Sequence, residues 1–228
     1  MKLSDASKMS RFTLLQVGES GHGKTTRSLS ATRFGNVKII DVDNKLAALR
    51  TRIPVSEQSK IDFDVPGTFD ALLASIDSVR SSNEFATVIL DTWSRAHDLT
   101  IEKHKASNPK LTTFSFADWG AIKQMNQMLL FKLLALPQNI IVNTHVGKDK
   151  DASDRAILTV GTSGSFGAQL PQYFNETHYL NFDMKYKVRG NKSNSIVANT
   201  SLPDSLLDSN GNFIKTDLSI FDEIAYKK

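Results

Sequence analysis

The feature that most constrains this chain is the segment Gly18–Thr25, which reads GESGHGKT. It follows an apolar run at 12–17 and opens a helix-compatible run at 24–32. Glycine, four residues, then Gly-Lys-Thr fits the phosphate-binding loop pattern at every required position. The glycines let successive backbone N–H groups point at one anion, which a Cβ would obstruct. The segment therefore predicts a phosphate site at the positive end of a helix.

The same pattern assigns chemistry to single side chains. Lys24 is expected to reach the β- and γ-phosphates as a point charge, and the Thr25 hydroxyl to ligate Mg²⁺. His22 is expected to be a tolerated variable position within the loop. ATP with Mg²⁺ is the predicted ligand. The predicted nucleotide-binding residues are Gly18, Glu19, Ser20, Gly21, His22, Gly23, Lys24, Thr25 and Thr26.

Length and composition narrow the class of protein. A chain of 228 residues suffices for one α/β domain with a sizeable core, so we expect a flexible lead-in at 1–10 and a single domain at 11–228. The absence of cysteine excludes disulfides, thiolate metal ligands and cysteine nucleophiles, and it fits a reducing cytoplasm. No apolar run is long enough to span a membrane, and the polar first ten residues lack a signal core. We therefore expect a cytoplasmic protein without a membrane partner.

Strand-like and helix-like patterns alternate along the chain. Continuous apolar runs predict buried strands at 37–43, 86–91 and 139–145. Helical periodicity or helix-compatible composition predicts helices at 68–80, 94–106 and 116–136. This alternation predicts an α/β fold with a mostly parallel central sheet and helices on both faces. Strands at about 177–188 and 195–200 are predicted to flank a turn at 189–194, which gives a C-terminal β-hairpin region.

Polar residues close the predicted strands. In a parallel sheet, ligands bind at the carboxyl ends of the strands, where the phosphate loop, Asp43, Asp91 and His145 are expected to converge. Asp91 fits the acid that holds Mg²⁺ through its water shell. Asp43 is a candidate general base, with capping of a helix at 44–49 as the competing interpretation. His145 is a candidate γ-phosphate sensor, and a buried core histidine is the alternative.

Two basic segments and two rings are candidates for contacts beyond the nucleotide. Arg189 and Lys192 are either solvated surface or cations supplied to a neighbouring subunit's site. The segment 147–165 resembles a mobile loop that contacts DNA, because Lys148, Lys150 and Arg155 would neutralise phosphates. The interleaved Asp149, Asp151 and Asp154 cancel that local charge. Phe114 and Phe116 are possible stacking platforms for single strands, although core packing is the more conservative expectation.

Several of these segments together resemble the compact RecA-core ATPases of bacteriophages, a group of RecA-like P-loop NTPases. These are single-domain RecA-like recombinases of single-strand annealing, grouped with a phage AAA-type ATPase family. The likeness runs from about residue 11 to 201. It rests on the phosphate loop, the acid-ending strands, Trp119-Gly120 ahead of a long helix, and Thr144-His145 at a strand end.

The resemblance implies an ATPase that binds DNA, single-stranded in the first interpretation, and promotes annealing and recombination in the host cytoplasm. It also implies a homo-oligomer with nucleotide at subunit interfaces, and a phage single-strand-binding protein as a candidate partner. Lys24 and Thr25 take the phosphate and Mg²⁺ roles, Asp91 the Mg²⁺ role, and Arg189 or Lys192 acts in trans. RecA-core proteins usually carry Glu at the base position. Asp43 is one methylene shorter, which predicts slower hydrolysis or a base elsewhere.

Two other functions stay open at the level of sequence. A small-molecule P-loop kinase needs an Arg-rich mobile lid, and the 147–165 segment contains only Arg155. A nucleotide-gated interaction module would bind ATP with little turnover, and the nucleotide would control assembly or a regulatory contact. DNA-dependent oligomers, phosphorylation of a metabolite, and binding without turnover distinguish the three.

Overall fold

The computed structural model describes residues 11–150, 156–163, 166–183, 185–190 and 198–222. A seven-stranded sheet has the order β3-β2-β4-β5-β1-β8-β9, and its strands are parallel except for the antiparallel β8–β9 pair. A separate antiparallel hairpin pairs β6 with β7. The strands are β1 (Thr13–Gly18), β2 (Val37–Asp41), β3 (Ile61–Asp64), β4 (Thr87–Asp91), β5 (Asn139–Thr144), β6 (Val146–Lys150), β7 (Ala156–Val160), β8 (Glu176–Asp183) and β9 (Lys185–Arg189).

Helices connect the strands and cover the sheet. The α-helices are α1 (Lys24–Leu29), α2 (Leu46–Leu49), α3 (Val55–Gln58), α4 (Phe69–Arg80), α5 (Trp93–Ser107), α6 (Phe116–Leu134) and α7 (Phe166–Gln169). Short 3₁₀ segments lie at Ser30–Phe34, Arg50–Arg52, Leu170–Tyr173, Asp204–Leu206 and Leu218–Asp222. Within the described residues, none of these helices has the length and apolar character needed to cross a bilayer.

The core has two halves, one on each face of the sheet. Side chains alternate between the faces along a strand, so the neighbours Leu14 and Leu15 on β1 belong to different buried clusters. Residues of α4, α5 and α6 cover one face. On the other face the cover comes from α2, the 3₁₀ segment after α1, and the C-terminal segment at 202–221. The predicted α/β fold with helices on both faces is confirmed.

Polar side chains fix the starts of the long helices. The Thr68 hydroxyl accepts a hydrogen bond from Ala71 N at 3.2 Å and begins α4. Ser115 and Asp118 form a reciprocal capping box at the start of α6. These caps begin α4 and α6, two of the helices that cover one face of the sheet.

The C-terminal β-hairpin does not turn where its composition predicted. The chain reverses between Asp183 and Lys185, which pair with each other, so the predicted strand at 177–188 is two antiparallel strands. Arg189 therefore lies at the end of β9, paired with Tyr179, and not in a hairpin turn. The single strand predicted at 177–188 was wrong because the reversal contains neither glycine nor proline. Asn199, in the predicted strand at 195–200, does form an antiparallel bridge with Thr177. Of the predicted turn at 189–194, residues 191–194 lie outside the described part of the chain. Lys192 lies outside the described residues, as does the predicted lead-in at 1–10.

The segment predicted as a mobile loop or lid is also different. Residues 146–150 and 156–160 pair as the β6–β7 hairpin, with Val146 opposite Val160 and Lys150 opposite Ala156. The apolar run at 156–160 supplies one strand, and the polar residues of β6 pair with it through their backbone. The tip at 151–155, which includes Arg155, lies outside the described residues.

Candidate nucleotide-binding site

The phosphate loop joins the end of β1 to the start of α1. Gly21 and Gly23 have φ values of 81° and 78°, in the left-handed region that side chains other than glycine rarely adopt. Gly18 is restricted by space, because a Cβ there would lie 2.8 Å from the carbonyl oxygen of Leu180 on β8. The backbone conformation therefore favours glycine at positions 21 and 23, and the lack of space favours it at position 18.

Lys24 lies buried across this loop. Its Nζ donates hydrogen bonds to the carbonyl oxygens of Gly18, at 2.7 Å, and Glu19, at 2.9 Å. Burial lowers the pKa of Lys24 to about 8, and the nearby carboxylates of Asp91 and Asp43 oppose that shift. The ammonium is thus held at the mouth of the loop by acceptors that a phosphate oxygen can replace.

Thr25, on α1, meets Asp91, at the end of β4, although β4 is not adjacent to β1, the strand that leads into α1. Strand β5 separates β1 from β4, yet Thr25 Oγ1 donates a 2.6 Å hydrogen bond to Asp91 Oδ2. Burial raises the pKa of Asp91, while Thr25 and the nearby amide of Asn143 favour the carboxylate. The Asp91–Thr92 peptide bond is cis. Because of this hydrogen bond, the Thr25 hydroxyl and the Asp91 carboxylate lie together at the carboxyl ends of the parallel strands.

This pair has the oxygen chemistry that Mg²⁺ prefers. Among the described residues, no group of three or more His, Cys, Asp or Glu side chains is placed to hold a metal by itself. Mg²⁺ in nucleotide sites typically takes one or two protein oxygens and completes its shell with phosphate oxygens and water. Thr25 and Asp91 fit that arrangement.

The turn after β2 decides which of two acids faces the site. Asp41 is buried, and its Oδ2 accepts a 2.7 Å hydrogen bond from Leu46 N at the start of α2. Asn44 adopts a left-handed φ of 53°, which asparagine tolerates better than most residues. The capping role considered for Asp43 thus belongs to Asp41, and Asp43 faces the nucleotide side.

Two basic side chains lie beside the Asp43 carboxylate. His145 Nε2 lies 3.9 Å from Asp43 Oδ2, too far for a hydrogen bond but close enough for electrostatic attraction. Lys45 Nζ is 3.1 Å from the same oxygen, and Thr92 Oγ1 donates to Oδ1 at 3.4 Å. His145 and Lys45 hold the pKa of Asp43 at about 2, against the effect of burial. Asp43 is therefore a weak base in this arrangement.

Two cavities flank the phosphate loop. The first, of about 330 Å³, is lined by Ser20, Gly21, Gly23, Lys24, Thr25, Thr26, Asp43, Lys45, Leu46, Ala48, Leu49, Asp91, Thr92 and His145. The second, of about 380 Å³, is lined by Gly21, His22, Gly23, Thr26, Arg27, Ser30, Phe182, Thr216 and Asp217. The structure therefore brings most predicted site residues together around one loop.

The remaining predicted residues lie elsewhere or act differently. Gly18 and Glu19 line neither cavity, and their carbonyl oxygens hold Lys24. His22 faces the second cavity, with Nδ1 3.3 Å from the Leu180 carbonyl oxygen. Arg189 is not among the residues that line either cavity, and it borders a separate one of about 200 Å³.

Sequence reasoning did not single out two residues that the structure places here. Lys45 lines the first cavity. Asn143 is fully buried on β5, and its Oδ1 accepts hydrogen bonds from Gln16 Nε2, at 2.8 Å, and Ser28 Oγ, at 3.0 Å. A polar residue inside a buried apolar strand was the available signal for Asn143, because such groups require partners.

Hydrogen bonds join the open end of the β6–β7 hairpin to His145, which follows the end of β5. Ser94 Oγ accepts from His145 N at 3.1 Å and donates to the Gly161 carbonyl oxygen at 2.9 Å. Gly161 N in turn donates to the His145 carbonyl oxygen at 2.7 Å. Gly147 and Gly161 approach so closely that a Cβ on Gly147 would lie 3.0 Å from Gly161 Cα. The hairpin is therefore anchored directly beside the first cavity, which His145 lines.

An aromatic cavity borders the segment that follows Gly161. It measures about 220 Å³ and is lined by His97, Phe116, Trp119, Gly120, Ile122, Lys123, Asn126, Ser163 and Phe166. Phe116 is 98% exposed, so the core packing expected for it is wrong. Phe114 packs against Trp119, with ring centroids 5.0 Å apart. At the start of α6, the Phe116 ring is therefore exposed to solvent, and the Trp119 ring is supported by contact with Phe114.

A parallel α/β sheet whose first strand ends in a glycine-rich loop, with Lys24, Thr25 and Asp91 converging, defines a P-loop NTPase core. A family model described as an AAA domain matches residues 10–207, and the chain belongs to that family. A comparison with curated proteins found no match. Membership of the AAA domain family indicates a nucleotide-binding ATPase, a class that typically uses Mg²⁺.

Proposed function

We propose that this protein hydrolyses ATP at the Gly18–Thr26 loop. The observation that carries the proposal is the 2.6 Å hydrogen bond between Thr25 and Asp91, which puts the two oxygen ligands expected for Mg²⁺ together. Lys24, buried at the same loop, supplies the cation for the phosphates. Three parts of a phosphoryl-transfer site therefore lie within one cavity.

The chain's own groups suggest how the reaction proceeds. The Lys24 ammonium exchanges the Gly18 and Glu19 carbonyl oxygens for phosphate oxygens. Bound Mg²⁺ would neutralise charge that develops on the phosphates, and Thr25 and Asp91 would hold it. The Asp43 carboxylate, which lines the same cavity, orients the attacking water and takes its proton. His145 lines it as well and contacts the terminal phosphate.

The second cavity is suited to the base and ribose. It shares Gly21, Gly23 and Thr26 with the phosphate cavity, so one nucleotide can extend from one into the other. Phe182 lines it and is 60% exposed, which leaves a ring face available for stacking on a base. Its volume of about 380 Å³ falls in the range of ordinary small-molecule sites.

We further propose that the ATPase binds single-stranded DNA at the aromatic cavity and promotes annealing, as the resemblance to phage RecA-core proteins implies. Exposed Phe116 and its neighbour Trp119 offer stacking surfaces for bases, and Lys123 offers a cation for the backbone. The neighbouring hairpin carries Lys148, which is exposed. Ser94 and Gly161 connect this surface to His145, which supports a coupling between DNA and nucleotide.

Oligomerisation belongs to the same proposal. The first cavity is open to solvent, and among the described residues no arginine lines it. A cation from a neighbouring subunit, with Arg189 as the candidate among the described residues, would stabilise charge in the transition state. Sedimentation with and without a non-hydrolysable ATP analogue tests for such an assembly.

The first test is ATP hydrolysis by the wild type and by Lys24→Ala, with and without single-stranded DNA, at two salt concentrations. We expect turnover that DNA stimulates, that salt weakens, and that Lys24→Ala abolishes. Lys103→Ala, which removes a half-exposed lysine of α5 that pairs with Asp70 of α4 and lines neither cavity, is the matched control. Turnover that depends on Lys24 but ignores DNA would direct the search to metabolite acceptors. Binding without turnover would favour a nucleotide-gated module.

The DNA surface has a test of its own. Phe116→Ala removes an exposed ring that has no role in the core, so the fold should be unaffected. We expect affinity for single-stranded DNA to fall by about 10- to 100-fold, from the loss of about 1–3 kcal/mol of stacking. Phe131→Ala, on the same helix but 51% exposed and packed on Tyr173, is the control. Equal affinities for the two variants would contradict this location.

A further inference from the structure

The turn between β2 and α2 presents an acid and a base side by side. Asp41 stabilises the turn by accepting a hydrogen bond from Leu46 N. Asn44 reverses the backbone with its left-handed φ of 53°. As a result the side chains on either side of Asn44, those of Asp43 and Lys45, both line the nucleotide cavity. Their ion pair, at 3.1 Å, forms inside the site and not on a remote surface.

Lys45 differs from the other lysine of the cavity in its freedom to move. The Lys24 ammonium is buried and donates to two carbonyl oxygens, whereas the Lys45 side chain is 68% exposed. The hydrogen-bond partner of the Lys45 ammonium is Asp43. The lysine end of this ion pair lies in water, which screens the attraction to Asp43, whose own side chain is 14% exposed. A group with more negative charge than a carboxylate, placed in the same cavity, would attract this ammonium away from Asp43.

We propose that Lys45 is a second phosphate-binding cation of this site, which leaves Asp43 for the terminal phosphate of ATP and thereby releases the Asp43 carboxylate to the attacking water. This inference rests on the proposed ATPase function. The water then loses its proton to Asp43 as its oxygen bonds to the γ-phosphorus, and the β–γ bridging bond breaks with its electron pair on ADP. The ammonium stays on the phosphate and keeps its proton throughout.

The arrangement explains how a carboxylate so strongly stabilised can act as a base. Lys45 Nζ and His145 Nε2 lie 3.1 Å and 3.9 Å from the same oxygen of Asp43, and both stabilise its negative charge. Transfer of Lys45 to the γ-phosphate removes one of the two. The base is therefore strengthened only when the triphosphate is present, and ADP, which lacks the terminal phosphate, leaves the ion pair intact.

Discrimination between triphosphate and diphosphate is the measurement that tests the role. Dissociation constants for a β,γ-imido ATP analogue and for ADP are measured for the wild type, Lys45→Ala, Lys45→Arg and the control Lys103→Ala. Lys45→Ala should raise the dissociation constant of the analogue by about 10- to 100-fold, the range for a charged hydrogen bond. The dissociation constant of ADP should change by less than about twofold. Lys45→Arg should retain most of the preference, and Lys103→Ala all of it.

A double-mutant cycle between Asp43 and Lys45 tests the competition itself. Asp43→Ala should strengthen binding of the analogue, because Lys45 then has no carboxylate to leave. The same Asp43→Ala change should improve binding of the analogue less when Lys45 is already alanine. The difference is a coupling energy between the two side chains, which we expect for the analogue but not for ADP. Thermal unfolding of each variant checks that the fold is retained.

The outcomes separate this inference from the proposed function. If the wild type binds neither nucleotide, the proposed function fails, and the inference with it. If the wild type binds and hydrolyses ATP but Lys45→Ala keeps the wild-type ratio of the two dissociation constants, only the inference is overturned. An equal loss of both nucleotides would also overturn it, because it would identify Lys45 as a structural support of the cavity.

Discussion

Arg27 Nη2 lies 3.0 Å from Nδ1 of the buried His178. A guanidinium has only donors, so the ring nitrogen must accept, and His178 is neutral with its proton on Nε2. That Nε2 donates to Glu176 Oε2 at 3.0 Å, and Glu176 Oε1 accepts from Ser201 N at 2.8 Å. One chain of hydrogen bonds thus joins the phosphate-loop helix, strand β8 and the C-terminal segment.

This chain of hydrogen bonds predicts instability in acid. Burial lowers the pKa of His178 to about 4, from 6.5. Between those values the unfolded chain binds a proton that the folded chain does not, so the free energy of unfolding falls as pH decreases through that window. The loss approaches about 3 kcal/mol at about 1.4 kcal/mol per pH unit. Urea unfolding at pH 7 and pH 5 measures it. A His178 ring that titrates near 6.5 by NMR would contradict the prediction.

The affinity for ATP should fall at alkaline pH. In the proposed function Lys24 binds phosphate as an ammonium, and its pKa is about 8 before any phosphate is near. Above that pH, binding requires uptake of a proton, so the dissociation constant should rise by up to about tenfold per pH unit. Titrations of a non-hydrolysable analogue between pH 7.5 and 9.5 measure this slope. Lys24→Arg is the control, since its charge persists and its affinity should stay level. A level profile for the wild type would exclude Lys24 as the cation concerned.

Two glycines should respond to alanine in opposite directions. In Gly18→Ala the new Cβ would lie 2.8 Å from the Leu180 carbonyl oxygen, so we expect a loss of about 1–3 kcal/mol in the free energy of unfolding. In Gly120→Ala the Cβ meets nothing within 4 Å, on an exposed turn of α6. We expect a gain of about 0.5–1 kcal/mol there. Urea unfolding of both variants provides the comparison, and changes of the same sign would refute it.

Asp91→Asn should abolish most turnover and leave the fold intact. The amide keeps the size of the side chain and can still accept from Thr25, but it loses the charge that favours Mg²⁺. A decrease on the order of 10²–10³-fold in ATP hydrolysis is expected, the range for loss of one preorganised electrostatic group. Rates measured over a range of Mg²⁺ concentrations, with Asp77→Asn on the exposed face of α4 as control, check it. Wild-type rates in Asp91→Asn would remove Asp91 from the site.

Local pattern was sufficient for the phosphate loop and for the strands beside it. The runs predicted at 86–91 and 139–145 became Thr87–Asp91 and Asn139–Thr144. These strands are buried on both faces, and a continuous apolar run bounded by polar residues is a strong signal for such a strand. The acids and histidine at their ends follow from parallel topology alone, since the carboxyl ends of the strands share one edge.

Other features depend on contacts that the local sequence does not encode. Asp41 and Asp43 are equivalent acids in sequence, and only the backbone reversal at Asn44 decides which one faces the cavity. Lys45 acquires its place from the same reversal. The end of β8 is set by pairing with β1 and β9, so turn composition misplaced it. Long-range pairing, and not residue preference, governs each of these cases.

The two edges of the sheet are both protected. At one edge β3 is only four residues long, and Lys38 Nζ binds the carboxylates of its Asp62 and Asp64. At the other, residues 211–213 cover β9, with Phe213 N donating to the Val188 carbonyl oxygen at 2.8 Å. Short, charged or covered edges discourage strand addition by another chain. In the described part of the chain, neither edge strand of this sheet therefore offers a long, bare row of backbone groups to another molecule.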